Sequence, residues 1–151
     1  MPDLTEQGYA FYDALMHVIT TTTGICLEAS PGESVTCFRD ITGAMALNGI
    51  KSGLILLSAN EPDLRVICSH MTGTPADNVT GEDIEDTLAE LVNMTAGGAK
   101  LRLSDTEHVF SLSTPFVIRG DNTTLVSERK TIVMSQALSN GEISLVLTVV
   151  Y

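Results

Sequence analysis

The sequence predicts one α/β domain over residues 1–151, with a largely antiparallel sheet, long helices packed on it and two pseudo-duplicated halves. Three observations carry that expectation. Two long stretches repeat apolar residues at helical spacing, β-branched and aliphatic stretches fold back across Asn-Gly pairs, and the two kinds of segment alternate without a low-complexity linker. With 44% hydrophobic residues the chain can bury one sizeable core, whereas two independent domains would be cramped.

The first helix is expected from about Leu4 to Thr22, where Phe11, Tyr12, Leu15, Val18 and Ile19 make an apolar stripe that Gly24 terminates. Ile41 to Leu47 and Leu54 to Ser58 then read as strands joined across Asn48-Gly49-Ile50-Lys51-Ser52-Gly53. Pro62 suits a first helical turn, and Leu64, Ile67, Cys68 and Met71 at i, i+3, i+4 and i+7 predict a short amphipathic helix closed by Gly73. After a polar loop from Thr74 to Gly81, Thr80 can cap a helix that opens with Glu82 and Asp83 at its positive end and runs to about Leu103. Pro115-Phe-Val-Ile begins another β segment. Thr131 to Leu138 is expected to pair with Glu142 to Val150 across Ser139-Asn140-Gly141.

The two long helices share a faint repeat: Asp13, His17, Thr20 and Gly24 stand at the same offsets as Asp86, Glu90, Asn93 and Gly97. Each is followed by a β segment and a glycine-containing hairpin, as a duplicated half-domain would be. Coincidence among four offsets is the alternative.

Nineteen acidic and eight basic residues give a formal charge of −11, which repels phosphate backbones and anionic lipid. Nucleic acid and membrane are therefore not expected as partners. Lys100, Arg102, Arg119, Arg129 and Lys130 come singly or in pairs and read as solvated surface charge. The start MPDLTEQGYA lacks the basic flank and apolar run of a secretory signal, and no stretch reaches the ~18 apolar residues of a membrane span. Cys26, Cys37 and Cys68 show no metal-ligand or disulfide spacing. A soluble, cytoplasmic protein with buried thiols is the expectation.

One constellation carries chemistry. At about 100° per residue, Asp86, Glu90 and Asn93 share a narrow sector of the long helix, while Leu88, Val92, Thr95 and Ala99 take the opposite side. A carboxylate and a carboxamide thus stand one turn apart, pointed away from the core. Pro115 follows Asn93 after twenty-one intervening residues. His17, His70 and His108 lie far apart, Gly-x-Ser-x-Gly is absent, and no Walker loop or dinucleotide fingerprint occurs, so a metal centre, a serine triad and nucleotide binding have no support.

The pattern D-x3-E-x2-N-x21-P, formed by Asp86, Glu90, Asn93 and Pro115, resembles the signature of the chemotaxis phosphatase family that includes CheC, CheX and the FliY-type switch phosphatases. The likeness extends to Ile41-Thr-Gly-Ala-Met-Ala-Leu with Lys51-Ser-Gly-Leu-Ile-Leu-Leu-Ser, and to Glu90-Leu-Val-Asn-Met-Thr-Ala-Gly-Gly-Ala-Lys100. It implies a CheC/CheX-like domain whose substrate is the phosphoaspartate of a CheY-like response regulator. It also implies that Asn93 orients the attacking water, that Glu90 pairs with the regulator's active-site lysine, and that the unit is a homodimer. Magnesium would come from the regulator's carboxylates, with no cofactor of the chain's own. A carboxamide suits that task, because it donates and accepts hydrogen bonds and phosphoryl transfer asks mainly for positioning.

Gly97 lies at i+4 from Asn93 and serves either close approach of a partner or helix packing. Asp86 either contacts the partner or supports its helix, and Pro115 is expected to shape the strand beside the helix. Relatives often read Ala-Gly-Asn-Ala where this chain has Ala96-Gly97-Gly98-Ala99. The first helix has His17 and Thr20 where a second site would need Glu and Asn, so the single site is more similar to the CheX branch. A non-catalytic adaptor for a response regulator or flagellar switch component is the alternative function. A generic dimeric ligand-binding domain is a third, and it would depend on a concave apolar pocket.

Overall fold

The computed structural model describes residues 4–30, 38–126 and 132–151; Cys37, Arg129, Lys130 and Thr131 lie outside the described residues. Helix α1 (Glu6–Thr23) begins where the Thr5 hydroxyl accepts the Gly8 N–H at 3.2 Å. It ends where Gly24, at φ 74°, donates its N–H to the Thr20 carbonyl. Helix α2 (Glu61–Thr72) carries Pro62 in its first turn and ends in the same way at Gly73. Helix α3 (Gly81–Arg102) opens with a capping box: the Asp83 N–H donates to the Thr80 hydroxyl at 3.1 Å, and the Thr80 N–H donates to the Asp83 carboxylate at 2.9 Å. The polar loop before it contains a 3₁₀ turn, Ala76–Asn78, which Arg65 steadies by donating to the Ala76 and Val79 carbonyls.

The strands are β1 (Glu28–Ala29), β2 (Ile41–Gly49), β3 (Gly53–Ala59), β4 (Phe110–Leu112), β5 (Phe116–Arg119), β6 (Ile132–Ser139) and β7 (Ser144–Val150). They form one antiparallel sheet in the order β1-β6-β7-β3-β2-β4, with β5 also on β2. Hairpins β2–β3 and β6–β7 meet at the centre through β3 and β7, where Leu57 faces Leu147. Each hairpin is flanked by a strand from the other half: β1 follows α1 but pairs with β6, and β4 and β5 follow α3 but pair with β2. This two-fold arrangement matches the halves expected from the sequence.

Two strands escape the sequence pattern. β1 is two residues long and β4 three, too short for an alternation to register. β4 and β5 lie end to end along β2, but the pairing of Leu47 with Leu112 and of Ala44 with Phe116 leaves one extra residue on their side. Pro115 sits in that break, where it has no N–H to donate to the ladder. The Ser113 hydroxyl donates to the Ala46 carbonyl at 2.9 Å in its place.

The first hairpin also departs from a simple Asn-Gly turn. Gly49 remains in β2, and its requirement is space: a Cβ there would lie 2.6 Å from the Val109 carbonyl oxygen. The second hairpin turns at Gly141, φ 90°, with Asn140 Oδ1 accepting the Glu142 and Ile143 N–H groups at 3.0 and 2.8 Å.

The helices cover one face of the sheet. Phe11, Leu15 and Ile19 of α1 and Ile84, Leu88, Leu91 and Val92 of α3 pack with Met45, Leu47, Ile55, Leu57, Leu145 and Leu147 in one buried cluster. Phe11 stacks on Phe110 with ring centroids 5.6 Å apart. On the other face Ala44, Leu56 and Val150 form a smaller cluster, beside a buried hydrogen bond from the Thr42 hydroxyl to the Ser58 hydroxyl.

A Cβ at Gly43 would stand 2.8 Å from Val92 Cγ2 and 2.9 Å from Leu88 Cγ. Gly43→Ala is therefore expected to lower stability by about 1–3 kcal/mol in denaturant unfolding. The hydrogen bond from the Thr80 N–H holds the Asp83 carboxyl below the usual carboxylate range. Its stabilising contribution is present above the unfolded pKa and lost as pH falls through the lower folded one. Thermal melts should show the wild type losing stability below about pH 4, with a shallower loss in Asp83→Asn.

Candidate active site

α3 is amphipathic with a fixed phase. Ile84, Thr87, Leu88, Leu91, Val92, Thr95, Ala96 and Ala99 are buried, and Asp86, Glu90 and Asn93 are exposed on the reverse side. Burying each large aliphatic side chain contributes about 2 kcal/mol, so the inner stripe sets the rotation of the helix and the outer residues follow. No hydrogen bond or ion pair engages the side chains of Asp86, Glu90 or Asn93 among the described residues. Their polar atoms are free to meet water or a partner. Asp86 lies beyond the first helical turn, whose acidic residues are Glu82 and Asp83.

The two glycines that follow differ. A Cβ on Gly97 would meet nothing within 4 Å, whereas one on Gly98 would lie 3.1 Å from Ala14 Cβ on α1. Helix packing accounts for Gly98 and does not account for Gly97. Gly97 stays on the outward strip with Glu90 and Asn93, while Pro115 sits apart on the sheet edge, in the break between β4 and β5 that pack against α3.

Arg119 is an exposed surface charge, as the sequence suggests, and it is also paired. Its Nε donates to Glu85 Oε1 at 2.5 Å, its Nη2 donates to the Gly81 carbonyl at 3.2 Å, and its Nη1 lies 3.6 Å from Glu61 Oε2. One side chain thus ties β5 to the first turns of both α2 and α3. All three side chains are partly exposed, so geometry gains more than stability from the contact. No local sequence pattern links Arg119 to Glu85, thirty-four residues earlier.

Among the described residues no three His, Cys, Asp or Glu side chains converge in a way that could hold a metal ion. A cleft of about 360 Å³ is lined by Gln7, Lys51, Glu107, His108, Val133 and Tyr151, among others, and none of its lining residues is on α3. Burial pushes the Tyr151 phenol up to about 12. No helix among the described residues is long and apolar enough to cross a membrane.

Residues 41–137, which include the outward strip of α3 and Pro115, match the family described as Chemotaxis phosphatase CheX. The chain belongs to the CheX family. Solved structures of similar fold include CheX from Vibrio vulnificus, 23% identical, with a TM-score of 0.83 over 96% of this chain and 98% of that one. A CheC-like superfamily protein from Shewanella sp. PV-4 is 24% identical, with a TM-score of 0.81 over 99% of this chain and 98% of that one. The CheX of a CheX–CheY–BeF3–Mg2+ complex from Borrelia burgdorferi is 17% identical, with a TM-score of 0.74 over 94% of each chain. These likenesses establish a CheC/CheX-like fold. No curated protein matches the chain.

Within this CheX-family chain the two glycines give a direct stability test. Gly97→Ala should raise stability by about 1 kcal/mol through helix propensity. Gly98→Ala should fall short of that gain because Ala14 must yield, and urea unfolding of the two variants measures the difference.

Proposed function

We propose that this CheX-family chain hydrolyses the phosphoaspartate of a CheY-like response regulator, acting as one domain over residues 1–151. The observation that carries the proposal is the pairing of Glu90 and Asn93, exposed and without hydrogen-bond or ion-pair partners among the described residues, on one face of a helix whose other face is locked into the core. The CheX–CheY–BeF3–Mg2+ complex, in which BeF3 stands in for a phosphoryl group, supports a regulator as the partner of this fold.

The regulator brings the acyl phosphate and a magnesium ion held by its own carboxylates. Asn93 enters that pocket, accepts a hydrogen bond from a water through its carbonyl oxygen, and aims it in line with the bond to the aspartyl oxygen. The new P–O bond forms as the aspartyl P–O bond breaks, the electron pair leaves on the regulator's carboxylate, and the water's proton goes to the departing phosphate. Asn93 need not act as a base. Glu90, one turn earlier, pairs with the regulator's active-site lysine and fixes the docking register. Gly97 leaves room for the partner's backbone, Asp86 supports the helix or the interface, and Pro115 shapes the adjoining strand. A CheY-like substrate favours a cytoplasmic location.

We also propose a homodimer. The outer edge of β4 and β5 is unpaired among the described residues and exposes Leu112, Phe116 and Ile118, a surface suited to strand pairing with a second copy.

Phosphate release from a CheY-type regulator, phosphorylated with acetyl phosphate in magnesium, tests the mechanism. Asn93→Ala should lower kcat at least about a hundredfold, and Glu90→Ala should act chiefly by raising KM. Full turnover in Asn93→Ala would overturn the assignment. Light scattering should give the mass of a dimer, which Phe116→Lys should convert to a monomer.

A further inference from the structure

The outward strip of α3 continues beyond Gly97. At about 100° per residue, Lys100 and Leu101 flank the direction of Asp86 within about 60° on either side. Leu101 is 76% exposed, the most exposed large apolar side chain on any helix among the described residues. Lys100 is exposed and makes no hydrogen bond or ion pair among the described residues, whereas Arg102 is occupied in donating to the Gly98 carbonyl at 3.0 Å. Successive turns of one strip therefore present a carboxamide, an open backbone, and an apolar side chain beside a free cation. Leu101 stands about 12 Å along the axis from Asn93.

A single exposed leucine is ordinary on a protein surface. The alignment of this one with Asn93 across Gly97 is what calls for an occupant. We propose that Lys100 and Leu101 are specificity-determining residues that extend the docking surface for the phosphorylated regulator. The inference rests on the reading of Glu90 and Asn93 given above. The partner's backbone crosses Gly97, an apolar patch on it covers Leu101, and a carboxylate near its phosphorylated pocket faces Lys100.

Two features select the regulator over a second copy of this chain. The strip is continuous with Glu90 and Asn93, so a copy seated on Leu101 would crowd the regulator's own approach. Charge complementarity points the same way. A pocket of carboxylates carrying a phosphoryl group is anionic, this chain carries −11, and Lys100 is the unpaired cation that offsets the repulsion on that strip.

Steady-state phosphate release with a CheY-type regulator, phosphorylated by acetyl phosphate in magnesium, tests the proposal. Leu101→Ala and Leu101→Asp should each raise KM about tenfold or more, with kcat within about twofold of wild type. Lys100→Glu should raise KM at low salt, by an amount that shrinks as salt is added. Because both residues are exposed, all three variants should fold, with melting temperatures within a few degrees of the wild type, the charge-reversing changes at the helix C-terminus accounting for the small difference. KM values unchanged in all three variants, with Asn93→Ala still inactive, would overturn this docking surface and leave the phosphatase reading intact. A change of oligomeric state in Leu101→Asp by light scattering would overturn it in favour of contact between copies. Failure of the wild type both to hydrolyse the phosphorylated regulator and to bind its beryllofluoride-loaded form would remove the phosphatase reading and this inference together.

Discussion

The packing of α3 against Gly43 is the contact on which the rest of the molecule depends. Leu88 and Val92 lie over β2 where the sheet has no Cβ, and a methyl group there would reach within 3 Å of both. At the far end Gly98 lets the same helix close on Ala14 of α1. Two glycines of different elements thus hold α3 at two points and set its distance and its rotation. A turn of about 100°, the angle of one residue, would carry Asn93 toward the core and expose part of the apolar stripe. The candidate catalytic face is the complement of this packing, oriented by it although Asp86, Glu90 and Asn93 make no side-chain hydrogen bond or ion pair among the described residues.

Polar contacts refine what packing establishes. The Thr80–Asp83 capping box satisfies the first N–H groups of α3, and Arg119 joins that same end to Glu61 and Glu85. Each contact is exposed and modest in energy, yet together they fix where the helix begins relative to β5. Glu90, Asn93 and Gly97 project farther along the rod. The charges also divide along it, with acidic residues in the first turn and Lys100 and Arg102 in the last, as the helix dipole favours.

Much of this was legible in the residues. The 3.6-residue period of α3 separated Leu88, Val92, Thr95 and Ala99 from Asp86, Glu90 and Asn93, and the structure buries and exposes them accordingly. The glycine ends of α1 and α2 and the turn at Asn140-Gly141 were equally readable, because they depend on backbone preferences of single residues. β1 and β4 were not, since two or three residues carry no period. Gly97 and Gly98 look alike in the chain; only the position of Ala14, eighty-four residues earlier, separates packing from open surface. The partners of Arg119 are hidden in the sequence for the same reason, Glu85 and Glu61 being distant along the chain.

The sequence by itself determined the three helices, the longer strands and the spacing D-x3-E-x2-N-x21-P, because periodicity and capping are local properties of a chain. The tertiary structure decided which face of α3 remains open, how each half lends a strand to the other half's hairpin, and which glycine is needed for packing. It also placed the half-buried Gly97 between the exposed Asn93 and Leu101 on one outward strip and joined Arg119 to two helix starts. Those outcomes rest on excluded volume and hydrogen bonding between residues tens of positions apart. Such contacts exist only once the helices have closed on the sheet.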